Sequence, residues 1–348
     1  MRVLITGNEG YIGTVMAPFL SRAGFEVAGL DSGLFRGCDF GRVADAIPTL
    51  QRDIRDVRAG DLEGFDAVIH LAAISNDPLG NLNPRCTYDI NHVASVRLAG
   101  LARQAGVGRF LYSSSCSVYG AASPDDILDE SASFSPVTPY AESKVLVEKD
   151  VAGLASDDFS PVFLRNATVY GSSPRLRGDL VVNNLVGWAF TSGRVLLKSD
   201  GTPWRPLVHV EDLSRAFMAA LRAPRECIHG QAFNVGRSPE NYRIADVAAI
   251  VQDVVPGSRV EFESGAGPDP RCYRVDFGKI ERELPGYDPC WTVRRGVEEL
   301  LRDYEREGLE ATDLEGSRYL RIRRIQELSE RGELDADLRW KTGLDESA

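Results

Sequence analysis

The sequence has few lysines, few histidines, no excess of positive charge and no long apolar run. Its 348 residues carry 40 basic and 51 acidic side chains, and only five of the basic ones are lysines. The net charge of −11 disfavours a nucleic-acid or anionic membrane partner, since both require a basic face. No stretch approaches the roughly 18 apolar residues of a membrane span, and glycine interrupts the start too early for a signal peptide. We therefore expect a cytoplasmic protein.

Metal sites and disulfides are also not expected. The six cysteines are widely spaced without a CxxC pair, and four histidines provide no ligand cluster. We interpret the cysteines as reduced thiols, mostly in the core. With 43% hydrophobic residues, the chain is long enough for one large or two medium domains.

The first half alternates short apolar strands with helical stretches. Strands are predicted at 2–6, 25–30, 66–71 and 109–113, and helices at 11–23 and 84–105. Such alternation indicates βαβ units and a parallel sheet covered on both faces. The predicted fold is therefore a doubly wound α/β (Rossmann) domain.

The second half has looser connections that are rich in proline, glycine and arginine. We predict a Rossmann domain over 1–171, with returning segments near 205–237, and a smaller discontinuous lobe that binds substrate over 172–348. Residues 162–169 still resemble a strand of the first sheet. Residues 315–330 have helical spacing with dense charge, which favours a solvated face over an interaction helix.

The sequence TGNEGYIG directly follows the first predicted strand and leads into a helix. Gly7 permits a tight turn, Gly10 lets the backbone approach a pyrophosphate, and Gly13 allows close packing of helix on strand. The N–H groups at the helix start, beside Tyr11 and Ile12, then face the phosphates. This loop predicts a dinucleotide site.

Asp31 ends the second predicted strand, where such folds place a carboxylate that accepts hydrogen bonds from ribose hydroxyls. The same carboxylate repels a 2′-phosphate, so the predicted cofactor is NAD. The nearby Arg36 keeps NADP open as an alternative.

The sequence PYAESK places Tyr140 and Lys144 one helical turn apart, after a proline suited to a first turn. An ammonium beside a phenol stabilises the phenolate. Lowering a phenol pKa from about 10 to about 7 requires about 4 kcal/mol. Two nearby cations, the ammonium of Lys144 and the positively charged nicotinamide of an oxidised cofactor, are sufficient for this. Tyr140 is the predicted general acid/base.

The sequence SSSCSVYG follows the strand at 109–113. A hydroxyl of Ser114 or Ser115 at the strand end could bind a substrate hydroxyl or carbonyl. Cys116 is interpreted as a small buried residue, because no histidine base lies nearby in sequence.

Together these motifs resemble the extended short-chain dehydrogenase/reductase family, and within it the NAD-dependent nucleotide-sugar epimerases and dehydratases. The resemblance covers about residues 1–308. It implies that Ser115 acts with Tyr140 and Lys144. It also implies further NAD contacts, which are Asp53 and Ile54 at the adenine, Leu71, Ala72 and Ala73 at the adenosine and phosphates, and Asn91 and Ser113 at the active-site strand.

The resemblance also implies a nucleotide-sugar substrate held by its diphosphate. Its contacts would be Thr168, Asn184, Leu185, Arg205, and Arg271 or Arg274. Arginine forks suit diphosphate oxygens and would provide the positive charge that the whole chain lacks.

Two departures from the family patterns restrict the expected reaction. Family dehydratases place Asp and Glu where this chain has Cys116 and Ser117, and galactose-type epimerases carry a lysine near Ser75 and an asparagine near Thr168. The expected activity is 4-epimerisation through transient oxidation of the sugar by NAD. The alternatives are a nucleotide-sugar reductase, dehydrogenase or dehydratase, and a dinucleotide sensor without activity. A homodimer packed through residues 88–105 and 140–151 is also expected from the family.

Overall fold

The computed structural model describes residues 1–42, 47–75, 77–120, 123, 126–263 and 272–341. In chain order its strands are β1 (Arg2–Thr6), β2 (Glu26–Asp31), β3 (Thr49–Gln51), β4 (Ala67–His70), β5 (Arg109–Ser115), β6 (Ile127–Leu128), β7 (Ser160–Asn166), β8 (Thr168–Tyr170), β9 (Arg194–Leu197), β10 (Trp204–His209), β11 (Ala232–Val235), β12 (Asn241–Arg243), β13 (Arg259–Phe262) and β14 (Arg274–Val275).

The helices are α1 (Gly13–Arg22), α2 (Asp77–Leu82), α3 (Pro84–Tyr88), α4 (Ala94–Gln104), α5 (Pro139–Ala152), α6 (Val181–Ser192), α7 (Val210–Arg222), α8 (Arg225–Ile228), α9 (Ile244–Val254), α10 (Gly278–Glu283), α11 (Val293–Glu307), α12 (Ala311–Glu315) and α13 (Arg321–Glu330). Among the residues described, none of these helices is both long and apolar enough to cross a membrane.

A seven-stranded parallel sheet is the main element of the fold. Its strand order is β11-β7-β5-β4-β1-β2-β3, so the order reverses between β1 and β4. In such sheets ligands bind beyond the carboxyl ends of the strands at the reversal. This topology confirms the predicted doubly wound α/β fold.

Alternate side chains of each strand pack on opposite faces of the main sheet. Val3 and Ile5 of β1 lie in the core that includes α1 and α7, whereas Leu4 lies in the core that includes α4 and α5. Strands that are buried on both faces have nearly continuous apolar sequences. This is why the strands of the main sheet could be predicted from the sequence.

Smaller sheets and a third core lie beyond the main sheet. Strand β10 pairs with β8 in parallel and with β12 antiparallel, while β9 pairs with β13 and β6 with β14. The third core is formed mainly by α6, α9 and α11. Between β10 and β12 the chain returns to the main sheet, where β11 pairs with β7.

Three predicted elements differ from the structure. The helix expected over 84–105 is α3, one π-helical turn at Asp89–Val93 and α4. The strand expected over 162–169 is divided at Ala167, so that β7 stays in the main sheet and β8 joins β10. The segment 315–330 is solvated on one side only, because Arg321, Ile325 and Leu328 of α13 are buried.

The six cysteines are unpaired, and Cys38, Cys86 and Cys116 are buried. Cys116 is fully buried and its thiol donates to the carbonyl of Arg165. Burial raises the pKa of this thiol, which agrees with its interpretation as a core residue rather than a nucleophile.

A buried ion pair joins α5 to the main sheet. Both carboxylate oxygens of Glu148 accept hydrogen bonds from Arg165 of β7, at 2.7 Å from Nη2 and 3.1 Å from Nε. Ser114 of β5 donates to the same carboxylate, and Arg165 also donates to the hydroxyl of Tyr119. Because each partner is about 5% exposed, each depends on the other for compensation of its charge.

We expect Glu148→Gln to lower the free energy of unfolding by about 3 kcal/mol, because it leaves the guanidinium of Arg165 buried without a counter-charge. Chemical denaturation measures this change. The matched control is Glu261→Gln, which breaks the exposed pair with Arg194 and should cost less than about 1 kcal/mol. Equal losses in the two variants would contradict this account of the buried pair.

Candidate active site

A cavity of about 830 Å³ lies at the carboxyl edge of the main sheet. It is lined by nearly all of the site residues that were predicted from the sequence. These are Gly7, Gly10, Tyr11, Ile12, Gly13, Asp31, Asp53, Ile54, Leu71, Ala72, Ala73, Ser113, Ser115, Tyr140, Lys144, Thr168, Asn184, Leu185 and Arg205. Segments far apart in the chain therefore converge on one site, as the fold requires.

Two other residues predicted from the sequence, Asn91 and Arg274, are not among those that line this cavity. The amide of Asn91, in the π-helical turn, bonds the N–H and carbonyl of Ile74 and the hydroxyl of Ser143, so it supports the cavity wall from behind. Arg271 lies outside the described residues. Its alternative, Arg274, stacks on the ring of Trp204 at 4.7 Å.

The glycine loop between β1 and α1 is shaped by contacts that exclude side chains. Gly7 has φ +76°, and a Cβ there would lie 2.8 Å from the backbone nitrogen of Ala72. A Cβ on Gly13 would lie 2.4 Å from the Cα of Asn8. Helix α1 begins without a side-chain cap at Ile12, and Gly10, Tyr11, Ile12 and Gly13 at its start line the cavity.

Asp31 connects the end of β2 to the glycine loop. Its carboxylate accepts hydrogen bonds from the N–H groups of Gly33 at 2.8 Å and Glu9 at 3.0 Å. Burial raises the pKa of this carboxyl to about 6, so it is ionised at neutral pH. This is the position and charge state that the ribose hydroxyls of NAD require.

Tyr140 and Lys144 lie on the face of α5 that looks toward the end of β5. Thr138 caps this helix by accepting from the N–H of Ala141, and Pro139 occupies the first turn. The Lys144 ammonium donates to the carbonyl of Ser113 at 2.7 Å and lies 5.6 Å from the centre of the Tyr140 ring. A hydrogen bond joins the side chains of Tyr140 and Ser115.

This geometry decides between the two serines that the sequence left open. Both serines contribute to the cavity wall, but the hydroxyl of Ser115 bonds Tyr140, whereas the hydroxyl of Ser114 is buried and bonds Glu148. The hydroxyl of Ser114 therefore belongs to the buried ion-pair network, and that of Ser115 belongs with Tyr140.

Burial acts on both ionisable groups of this pair against their charged forms. It raises the pKa of Tyr140 to about 12, an effect that the bond with Ser115 only partly offsets. It also lowers the pKa of Lys144 to about 7, against the attraction of Glu148. Without NAD, burial therefore outweighs the contributions of Ser115 and Arg177, which act to lower the pKa of the phenol.

The far end of the cavity contains the residues expected at the substrate diphosphate. Arg205 is 8% exposed and donates to the carbonyl of Trp204, and its guanidinium lies 5.8 Å from the ring centre of Tyr273. Asn184 of α6 donates to the carbonyl of Gly178 at 2.7 Å. Thr168 on β8 and Leu185 complete this end.

Two buried arginines in the cavity wall were not predicted from the sequence. Arg177 forms a two-point ion pair with Asp179 and donates to the hydroxyl of Ser75. Arg321 enters from α13, which the charge pattern had predicted to be solvated. The arginine-rich stretch SSPRLRGD was a signal for Arg177, but no local pattern identified Arg321.

These residues fit NAD. Gly7 and Gly13 have no space for a side chain, the start of α1 lines the cavity without a side-chain cap, and Asp31 is a partly buried carboxylate at the end of β2. Asp53, Ile54 and Leu71 line the same part of the cavity.

Comparison with known proteins supports this assignment. Residues 3–236 match the model of the NAD dependent epimerase/dehydratase family. UDP-glucose 4-epimerase of Mycolicibacterium smegmatis is 31% identical over 314 residues, covering 85% of this chain and 96% of that protein. Among solved structures, the NAD dependent NDP-hexosamine 5,6-dehydratase TunA has a TM-score of 0.77 at 26% identity, covering 88% of this chain and 98% of its own. MoeE5 in complex with UDP-glucuronic acid and NAD has a TM-score of 0.76 at 26% identity, covering 88% and 99%.

The lowered pKa of Lys144 predicts a pH-dependent cost to folding. The ammonium is charged below about pH 7 in the folded protein but up to 10.5 in the unfolded chain. Between these values the unfolded chain binds more protons, so this group opposes folding fully below about pH 7 and less as the pH rises. The free energy of unfolding of Lys144→Met minus that of the wild type should therefore be larger at pH 6.5 than at pH 10, by more than about 1 kcal/mol.

Chemical unfolding of the cofactor-free proteins at the two pH values measures this difference. Lys149→Met is the matched control, because Lys149 is exposed on the same helix, and its effect should not depend on pH. If Lys144→Met also changed the free energy of unfolding by the same amount at both pH values, the ammonium would not be desolvated in the folded protein.

Proposed function

This chain belongs to the NAD dependent epimerase/dehydratase family, and on that premise we propose that it is a nucleotide-sugar epimerase that inverts C4. The family and the cofactor NAD, both expected from the motifs, are confirmed by these matches. The proposal concerns the reaction and the roles of the residues.

The observation that carries the proposal is that Ser115, Tyr140 and Lys144 line the same cavity as the glycine loop and Asp31 and as Asn184 and Arg205. A nucleotide sugar whose diphosphate is held by Asn184 and Arg205 would then place its sugar ring in the cavity that Tyr140 lines.

In this arrangement Tyr140, as the phenolate, takes the proton of the C4 hydroxyl, and Ser115 orients that hydroxyl through its bond to Tyr140. NAD, when bound, supplies the acceptor and later the donor of the C4 hydride, and its positive charge opposes the effect of burial on the phenol. Lys144, fixed by the carbonyl of Ser113, adds a second positive charge beside the phenolate. After the keto sugar turns, Tyr140 returns the proton, so nothing is gained or lost overall.

The residues after Ser115 favour epimerisation over loss of water. Elimination needs an additional acid and base at the sugar, and the family positions for them are Cys116 and Ser117 here. The thiol of Cys116 points into the core, where burial raises its pKa. Asp77 lines the cavity, but it accepts a hydrogen bond from Thr138, and Asp179 is paired with Arg177.

The expected substrates are uridine diphosphate sugars. UDP-glucose 4-epimerase of M. smegmatis acts on such a sugar and MoeE5 binds UDP-glucuronic acid. We assign the diphosphate to Arg205 and Asn184, and the lobe beyond residue 172 to substrate binding. Arginine forks match diphosphate oxygens in geometry and charge.

The direct test is incubation of the purified protein with UDP-glucose, UDP-galactose, UDP-glucuronic acid and dTDP-glucose, followed by chromatography and mass spectrometry. We expect interconversion of one pair of C4 epimers, with no change in mass and no net consumption of added NADH. Loss of water would identify a dehydratase, loss of carbon dioxide a decarboxylase, and stoichiometric NADH consumption a reductase. Each of these results would overturn the epimerase proposal.

Tyr140→Phe should reduce turnover by at least about 100-fold, because the acid/base is removed while its ring remains. NAD binding, measured by calorimetry, should be unchanged. The control is Tyr88→Phe, whose hydroxyl bonds Glu142 away from the cavity and whose loss should not affect turnover. Normal turnover by Tyr140→Phe would exclude the assigned role, and no turnover of any sugar by the wild type would favour a sensor.

A further inference from the structure

The C-terminal segment, defined here as residues 309–341, folds back over the NAD side of the cavity. Its helix α13 and the strand-like residues that follow contribute Leu320, Arg321, Ile325 and Leu338 to the cavity wall. The match to the family model ends at residue 236, before this segment begins. This part of the wall is therefore formed by residues outside the stretch that the family model matches.

Hydrogen bonds join the C-terminal segment to two parts of the chain that contain predicted NAD contacts. The indole N–H of Trp340 donates to the carbonyl of Ser32 at 2.7 Å, next to Asp31. Arg55, which pairs with Asp53, donates to the carbonyl of Asp337 at 2.7 Å. The segment therefore connects the loop after β2 with the 3₁₀ turn Ile54–Asp56, which follows β3.

Arg321 is the charged residue that this segment places in the wall. It is 4% exposed, its Nη2 donates to the carbonyl of Arg175 at 2.9 Å, and its guanidinium lies 4.2 Å from the ring centre of Phe35. Its Nη1 is buried and has no hydrogen-bond partner in the described part of the chain.

No described carboxylate compensates this charge by an ion pair. Asp179, whose field reaches Arg321, already forms a two-point pair with Arg177. Burial, and then repulsion from Arg177, lower the pKa of Arg321 to about 10, so it is still charged at neutral pH. A buried cation with a free donor beside another cation is costly unless an anion is bound.

The surroundings of Arg321 identify the anion. Arg175, which accepts its hydrogen bond, donates through Nε to the carbonyl of Glu9 in the glycine loop, and Glu9 in turn bonds Asp31. Arg321 is therefore connected through Arg175 to the loop that is predicted to receive the dinucleotide phosphates. A guanidinium fork suits phosphate oxygens.

We propose that Arg321 binds a phosphate oxygen of NAD and that the C-terminal segment forms a wall over the adenosine half of the cofactor. This inference depends on NAD as the cofactor and not on the sugar chemistry. A binding experiment without any nucleotide sugar therefore tests it separately from the proposed epimerase activity.

The test is calorimetric titration of the purified full-length chain with NAD. Arg321→Gln should weaken NAD binding by at least about tenfold, as expected for loss of a hydrogen bond to a charged group. The matched control is Arg323→Gln, an exposed arginine two residues along the same helix, which should bind NAD as the wild type does. Equal affinity of Arg321→Gln and wild type would overturn the proposal.

Two further measurements separate phosphate binding from other roles. Without NAD, Arg321→Gln should melt at or above the wild-type temperature, because it removes an unpaired buried charge. A lower melting temperature with unchanged NAD affinity would mean that Arg321 is only structural. Titration with UDP distinguishes the two diphosphates, since loss of UDP binding with intact NAD binding would place Arg321 at the substrate and contradict the assignment.

If Arg321→Gln does not fold, Arg321→Lys decides the question. It keeps the positive charge but loses the planar fork, so NAD binding should be several-fold weaker than in the wild type. A lysine variant with the wild-type affinity would overturn the proposal.

Discussion

The backbone of the glycine loop lies so close to the connection after β4 that no side chain fits between them. A Cβ on Gly7 would reach the backbone of Ala72, and one on Gly13 would reach that of Asn8. This contact fixes the start of α1 against the carboxyl ends of β1 and β4, where the strand order of the sheet reverses. The positions of Asp31 at β2 and Ser115 at β5 follow from the same sheet, so the cavity inherits its shape from backbone packing.

Charges within this cavity are placed at an energetic cost to the folded chain. Lys144 and Arg321 are buried, and burial lowers the pKa of each, whereas the pair with Asp179 raises the pKa of the buried Arg177. Asp31 carries the opposite charge in the same cavity, where burial raises its pKa. An acidic protein thus concentrates positive charge at one internal site, where the low dielectric strengthens its attraction for small anions. The buried pair of Glu148 and Arg165 differs from this group, because its two charges compensate each other.

The features that could be predicted from the sequence were those encoded by short spacing. The glycines at 7, 10 and 13 and the pair Tyr140 and Lys144 act over one turn, so their geometry follows from local structure. Arg321 could not be predicted in this way, because its position depends on packing against Phe35 and Arg175, far away in the chain. The break at Ala167, which transfers Thr168 to a second sheet, also depends on its pairing with a distant strand. The raised phenol pKa of Tyr140 depends on burial, which the motif alone does not contain.

The bond from Trp340 to Ser32 joins residues 308 positions apart. During synthesis, β1, β2 and the glycine loop leave the ribosome long before residues 309–341 exist. With the C-terminal segment in the role proposed above, the dinucleotide site is complete only after the chain has been made as far as residue 340. A bound dinucleotide would then favour the docked arrangement of the segment by mass action. Loss of the segment would remove Arg321 and the bond of Trp340 to Ser32 while leaving Ser115, Tyr140 and Lys144 in the chain.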